Sequence, residues 1–199
     1  MSSPPRPEGL RERKKAKTRR TIQDHALRLF AEQGYEATTV EQIADAAEIS
    51  PSTFFRYFPV KEDVAAPDDY GPLLLEALAA QPAGLGPVPA LRAAVRAVFG
   101  RLSPEEELHI LARVRLQLSH AALHSRTVDR TITMIGLLAA GVARRRGLGA
   151  VDPLSRTAAG AVVGALLPAV SAWAEGSGAG RLADALDEAL ALLESGLCP

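Results

Sequence analysis

Residues 38–61 read TTVEQIADAAEISPSTFFRYFPVK, and no other run limits the possible folds as sharply. Thr39 is a strong N-cap residue, and Gln42 stands three positions on, the spacing of a capping box. Ile43, Ala44 and Ala47 give the short helix that follows an apolar side. Glu48 and Ile49 make a turn, with Ile49 expected as a buried pin between two helices. Ser50 then caps a second helix, and Pro51 falls at its first position, where a missing N–H does no harm. Phe54 and Phe58, four residues apart, share the face of this helix that should be buried. Ser52, Phe55 and Arg56 then point to solvent.

An outward phenylalanine beside an outward arginine is unusual for a plain surface helix. It suits the major groove of DNA, where arginine pairs with guanine edges and an apolar ring meets a thymine methyl. Thr53 and Tyr57 flank that face within reach of phosphates, and Lys61, just past Pro59, is expected to contact the DNA backbone. The expected DNA-facing set is Thr39, Ser50, Pro51, Ser52, Thr53, Phe55, Arg56, Tyr57 and Lys61.

Residues 27–63 follow the pattern L-x-L-F-A-x-x-G-Y-x-A-T-T-V-x-x-I-A-x-A-A-x-I-S-x-S-T-F-F-R-Y-F-x-x-K-E-D. This resembles the helix-turn-helix of the TetR family of bacterial repressors. The resemblance implies an all-α fold, with a three-helix DNA-binding head and a helical body that binds a small-molecule effector and dimerises. It also implies that effector binding alters the spacing of two recognition helices. To release DNA, the effector must bind the DNA-incompetent state more tightly than the competent one.

A chain of 199 residues, 47% hydrophobic and 23% charged, is globular in composition and long enough for a sizeable core. The formal net charge is zero, so any nucleic-acid signal lies in the distribution of charge. Arg6, Arg11, Arg13, Lys14, Lys15, Lys17, Arg19 and Arg20 cluster near the start, against Glu8 and Glu12. A basic arm beside a groove-reading helix is the expected electrostatic footprint. Cys198 is the single cysteine, which leaves no intrachain disulfide and no thiolate zinc site. The N-terminal stretch has charge without an apolar region, so no signal peptide is expected, and a cytoplasmic location follows.

The expected organisation is a disordered arm over 1–12, the DNA-binding domain over 13–62, and a helical ligand-binding and dimerisation domain over 63–199. A first helix over 13–33 carries Ile22, Ala26, Leu29 and Phe30 as an amphipathic stripe and ends at Gly34. Tyr35 is expected to close the base of the head with its hydroxyl at the surface. A fourth helix starts over 61–66, but Pro67 and Pro72 predict a break. An apolar helix over 73–80 and a Pro/Gly loop over 81–89 follow.

The body reads as helix throughout. A stripe of Leu91, Val95, Val98 and Leu102 comes first. Ser103, Pro104 and three glutamates then mark a helix start, with Leu108, Leu111, Val114, Leu116 and Leu118 beyond it. The next helix, over 125–146, carries Val128, Ile132, Ile135, Leu138 and Val142 and ends in three arginines, which suit a helix C-terminus without touching DNA. Residues 157–174 contain no charged side chain, yet Gly160, Gly164, Pro168 and several alanines make them too mildly apolar for a membrane span. A helix apolar on every side must be buried on every side. The burial could come from within one monomer, but the family resemblance implies that this helix and the final one over 182–193 form a four-helix seam in an isologous C2 homodimer, through Gly160, Gly164, Leu167, Trp173, Leu186 and Leu190.

His120 and His124 are four apart, but no acidic residue follows at a metal-motif spacing, and no catalytic, metal or cofactor site is expected. The family resemblance implies a pocket in the body, with His109, Arg113, Gln117, His120 and His124 as its polar lining. Residues 112–123 are similar to the acyl-CoA-responsive subgroup of that family. The function expected is a repressor that binds a palindromic double-stranded DNA operator as a homodimer and is released by a small lipophilic or acyl-type effector. Two alternatives stay open: an activator with the same head, and a small-molecule-binding helical protein or enzyme with a vestigial one.

Overall fold

The computed structural model describes residues 10–65 and 70–197, with side chains described except at 10–13, 16, 121, 122 and 124–127. Of the arm expected over 1–12, residues 1–9 lie outside the described residues, as do the break at Pro67, the side chain of His124 and Cys198, while residues 10–12 are helical rather than disordered. Nine α-helices and one 3-10 turn make up the regular structure, with no strand among the described residues. The fold is all-α, as the sequence predicts. The chain divides into two compact units, Met1–Ala66 and Pro67–Pro199.

The first unit holds α1 (Leu10–Gln33), α2 (Val40–Ala46), α3 (Pro51–Tyr57) and a 3-10 turn (Lys61–Ala65). α1 begins three residues before the expected start. Residues 10–21 contain neither glycine nor proline and are rich in good helix formers, so nothing stops the helix at Arg13. Its inner stripe is Ile22, Gln23, Ala26, Leu27 and Phe30; Leu29 is only half-buried. Gln23 is buried because its Nε2 donates to the Val64 carbonyl at 3.1 Å. Val64 and Ala65 are themselves buried, and so the first unit runs to Ala66 and past the boundary expected at 62. Gly34 closes α1 with φ +89°, its N–H donating to the Phe30 carbonyl at 3.0 Å. Phe54 and Phe58 are fully buried with Ile22 and Ile43, each contributing roughly 1.5–3 kcal/mol of burial.

The second unit holds α4 (Gly71–Ala79), α5 (Pro87–Phe99), α6 (Pro104–Ser119), α7 (Ala121–Arg145), α8 (Pro153–Glu175) and α9 (Leu182–Glu194). α7 and α9 pack along α8, and α5 lies against α4 and α9. Gly141 lets α4 approach α7 closely: a Cβ there would stand 2.6 Å from Leu75 Cδ2 and 3.1 Å from Leu78 Cδ2. The loop after α4 is held rather than loose, since Arg145 donates to the carbonyls of Pro82 and Leu85. Asp152 caps α8, accepting from Ser155 N at 3.1 Å, and both oxygens take Arg146 Nη1 at 2.7 Å.

Two helices differ from the sequence reading, α6 in which face is buried and α7 in how much of its expected stripe is covered. On α6 the buried face is Glu107, Ile110, Leu111 and Arg113, whereas Leu108 is 65% exposed and Leu118 is also exposed. The cause is an ion pair that apolar patterning cannot show. Arg181 Nε donates to Glu107 Oε1 at 2.7 Å and Arg181 Nη2 donates to the Leu102 carbonyl at 2.8 Å, so the acid turns inward. On α7 the C-terminal half is buried through Leu138, Ala139, Val142 and Ala143, while Val128 and Ile132 are exposed.

Candidate nucleic-acid interface

The recognition segment is built by local caps. Thr39 Oγ1 accepts from Gln42 N at 3.2 Å, and Gln42 Oε1 accepts from Thr39 N at 2.9 Å, closing a full capping box on α2. Glu48 makes the turn with φ +54°, a left-handed conformation uncommon for a side chain of its kind. Ile49 N–H returns to the Ala44 carbonyl at 2.9 Å, and the Ile49 side chain is half-buried, so it edges the core rather than pinning it. Ser50 Oγ accepts from Thr53 N at 3.2 Å and lies 2.9 Å from Ser52 Oγ and 3.0 Å from Thr53 Oγ1. Pro51 occupies the first turn.

α3 is only two turns long, and its two faces are cleanly divided. Phe54 and Phe58 lie inside with ring centroids 5.7 Å apart. Ser52, Phe55 and Arg56 lie outside, Phe55 being 49% exposed with its ring edge-on to Phe54 at 5.5 Å. The Arg56 guanidinium lies 5.5 Å from the centroid of the half-buried Tyr57 ring. Thr39 and Ser50 are exposed, and Thr53 is half-buried. Among the basic residues preceding α3, Lys14, Lys15, Lys17 and Arg20 are exposed.

Lys61 stands apart from the rest of the set. Its Nζ donates to the Tyr35 carbonyl at 2.9 Å and the Thr38 carbonyl at 3.1 Å, and sits 4.1 Å from the Tyr35 ring centroid. It ties the loop between α1 and α2 to the 3-10 turn. Tyr35 is buried, and its hydroxyl donates to Glu62 Oε1 at 3.0 Å, which corrects the expected surface placement. Gln33 Nε2 donates to Thr38 Oγ1 at 3.1 Å and Gln42 Oε1 at 2.9 Å, closing the same corner. The sequence reading missed this corner, and the pattern carries no signal for it except the run of polar residues that flanks Gly34.

In the body, His109, Arg113 and Gln117 share one face of α6 by their four-residue spacing. Arg113 is the most enclosed, at 5% exposure, while His109 and Gln117 are half-buried. His109 Nε2 is 3.8 Å from Glu105 Oε1. His120 lies in the one-residue corner between α6 and α7, with Nδ1 2.8 Å from Ser119 Oγ. Among the described residues no three His, Cys, Asp or Glu side chains cluster as a metal site.

The expected seam residues separate into two groups. Gly160, Gly164 and Leu167 lie on the outer side of α8, half-buried or exposed. Trp173, Leu186 and Leu190 are core residues of the single chain, which corrects their assignment to a seam. α9 turns its leucines onto α5 and α8, and Arg92 on α5 grips Asp187, one position beyond Leu186. Trp173 Nε1–H donates to the Gly180 carbonyl at 3.3 Å, which fixes the ring under the turn between α8 and α9. α8 is long and apolar enough to cross a membrane by length and composition, and 33% of its most apolar stretch is buried within one chain.

A capped two-turn helix offering an outward Ser, Phe and Arg, in a chain made of helices, defines a helix-turn-helix DNA-binding protein. Comparison with known proteins makes the class specific. Residues 22–66 match the model described as bacterial regulatory proteins, tetR family, and residues 85–198 match the MftR C-terminal domain. The chain is 43% identical over 157 residues to the HTH-type transcriptional regulator TcmR of Streptomyces glaucescens, covering 73% of this chain and 68% of that one. It is 29% identical over 190 residues to the putative mycofactocin biosynthesis transcriptional regulator MftR of Mycobacterium tuberculosis (strain ATCC 25618 / H37Rv), covering 93% of each. Among solved structures, the Thermus thermophilus FadR repressor in complex with lauroyl-CoA superposes with a TM-score of 0.54 at 28% identity, covering 91% of this chain and 95% of that one. The chain belongs to the TetR family and is a DNA-binding transcriptional regulator.

Proposed function

We propose that this regulator is a ligand-responsive repressor that binds a palindromic operator as a homodimer and is released by a lipophilic or acyl-type effector. The observation that carries the DNA half is the division of α3 into an anchored face and a reading face. Phe54 and Phe58 fix the helix from inside, leaving Ser52, Phe55 and Arg56 to meet base edges. Thr39, Ser50, Pro51, Thr53 and Tyr57 frame that face, and the exposed Lys14, Lys15, Lys17 and Arg20 supply a sequence-independent attraction to phosphates.

The effector half is supported by the family and by the lauroyl-CoA bound to the Thermus thermophilus FadR repressor. In this chain His109, Arg113, Gln117 and His120, with His124 beyond them in sequence, form the polar side of the proposed site. Dimerisation is supported by α8, whose Gly164, Leu167 and Pro168 remain exposed in an otherwise apolar helix. The protein acts where the DNA is, in the cytoplasm, and its chemistry is binding rather than turnover.

The test is selection of operators from random duplex DNA by the purified chain. Enrichment of an inverted repeat whose half-sites lie about one helical turn or a multiple apart supports the reading. Release of that duplex by lauroyl-CoA, and retention in plain buffer, supports the effector class. Failure to enrich any sequence overturns the repressor reading.

A further inference from the structure

Arg19 belongs by sequence to the basic run, yet the structure takes it out of that company. Its side chain is half-buried, whereas Lys14, Lys15, Lys17 and Arg20 are exposed. Nη1 donates to the Tyr57 carbonyl at 3.0 Å, and the guanidinium carbon lies 4.3 Å from the centroid of the Phe58 ring. Tyr57 is the last residue of α3, so its carbonyl is one of those a helix leaves without an intrahelical donor. A cation at that end also meets the negative pole of the helix.

We propose that Arg19 is a positioning residue for the recognition helix, fixing the C-terminal end of α3 from α1 and thereby fixing where Arg56 and Phe55 meet the bases. The argument rests on the DNA-binding reading above. α3 spans seven residues, too short to be stable as an isolated helix, so its direction is set by what holds its two ends. Ser50 holds the first through the Thr53 N–H. Arg19 holds the second from 38 residues away in sequence. The residue it grips, Tyr57, carries the ring beside which the Arg56 guanidinium lies. The contact therefore runs from α1, through the end of α3, to the side chain expected to read a base. Aromatic support under the planar guanidinium and a fixed hydrogen-bond direction both favour arginine over lysine at this position.

Positioning and phosphate binding predict different salt behaviour. A phosphate contact contributes about 0.9 to the slope of log K against log salt, for every DNA sequence alike. A positioning residue changes the ratio of operator to random-sequence affinity and leaves the slope alone. The experiment compares wild type, Arg19→Lys and Arg19→Met on the duplex that wild type enriches from a random library and on a scrambled duplex of the same composition. Titrations run at several salt concentrations, at a temperature where circular dichroism shows each variant folded. The expected specificity ratio falls in the order wild type, Lys, Met, with the Met variant at least about fivefold below wild type and one slope for all three.

Equal ratios across the three overturn the proposal. So does a slope lower by about 0.9 per protomer in the Met variant with both duplexes weakened alike, which makes Arg19 a phosphate contact. Should Arg19→Met fail to fold, Arg19→Lys decides: it keeps the charge and loses the planar fork, so a wild-type ratio overturns the proposal and a reduced one supports it. A wild-type chain that enriches no duplex refutes the DNA-binding reading, and this proposal with it, before any variant is made.

Discussion

Arg92 on α5 closes onto both carboxylate oxygens of Asp187 on α9, Nε at 2.8 Å from Oδ1 and Nη2 at 2.9 Å from Oδ2. The same guanidinium reaches Glu194 Oε2 through Nη1 at 2.7 Å. One arginine thus joins the first long helix of the body to two turns of its last. The hydrogen bonds from Arg92 hold the Asp187 carboxyl below the usual carboxylate range.

That lowering fixes a sign. A carboxylate whose pKa is depressed by folding stabilises the native state fully above its unfolded value, about 3.9, and loses that contribution as pH falls through the folded value. Asp187→Asn should remove roughly 1–2 kcal/mol at pH 7, a figure tempered because each partner side chain is 25% exposed. The variant should also lose less stability than wild type between pH 5 and pH 3. Urea midpoints across that range check both statements.

Arg56→Ala should lower operator discrimination by about 1–3 kcal/mol while leaving thermal stability unchanged, since the side chain is exposed on the outer face of α3. Competition titrations with single-base variants of the selected operator should show relaxed preference at one base pair of each half-site.

Lys61→Met should act chiefly on folding. Its ammonium donates to two carbonyls and faces the Tyr35 ring, so removing it leaves the Tyr35 and Thr38 carbonyls short of a donor. The expected loss is about 1 kcal/mol of stability. The salt slope of DNA binding should change by less than half of the roughly 0.9 that a phosphate contact contributes. Thermal melts and salt titrations on one preparation distinguish this from the backbone contact that the sequence suggests.

Leu167→Glu should separate assembly from folding. Leu167 is 43% exposed in the single chain, so a carboxylate there meets water unless a second copy covers it. If the proposed homodimer uses this face of α8, its dissociation constant rises by at least about tenfold with the helical signal intact. Leu190→Glu, at a fully buried core position, should instead unfold the body. Sedimentation velocity and circular dichroism together give the result.

Gly178→Ala should be destabilising by more than a methyl normally is. Gly178 has φ +70°, and a Cβ there would stand 2.8 Å from Leu111 Cδ2 and 3.5 Å from Trp173 Cζ2. The left-handed backbone alone costs about 1–2 kcal/mol for a residue with a side chain, so the melting temperature should fall by several degrees.

What could be read in advance was what is local. Thr39, Ser50 and Ser103 cap their helices as expected because a cap involves residues two or three positions away. Phe54 and Phe58 fall inside because four-residue spacing sets a shared face whatever surrounds it. Apart from the early start of α1, which local helix propensity explains, the main errors involve partners distant in sequence. Glu107 turns inward for an arginine 74 residues on, and this rotates the buried face of α6 away from Leu108. Leu186 and Leu190 form a clear apolar stripe, but a stripe does not say whether its neighbour is the same chain or another; here it is α5 and α8. Charge alone groups Arg19 with the arm, although it stands three and four positions before the buried Ile22 and Gln23, which places it on the inner edge of α1.

The division of α3 has a consequence for how such a protein changes over generations. Phe54 and Phe58 anchor the helix from inside, Ser50 and Arg19 hold its ends, and Ser52, Phe55 and Arg56 stand at the reading surface, outside the core. Substitutions at Ser52, Phe55 or Arg56 can therefore drift to a new DNA vocabulary without endangering the scaffold. A duplicated copy could acquire different target genes long before it lost the ability to fold.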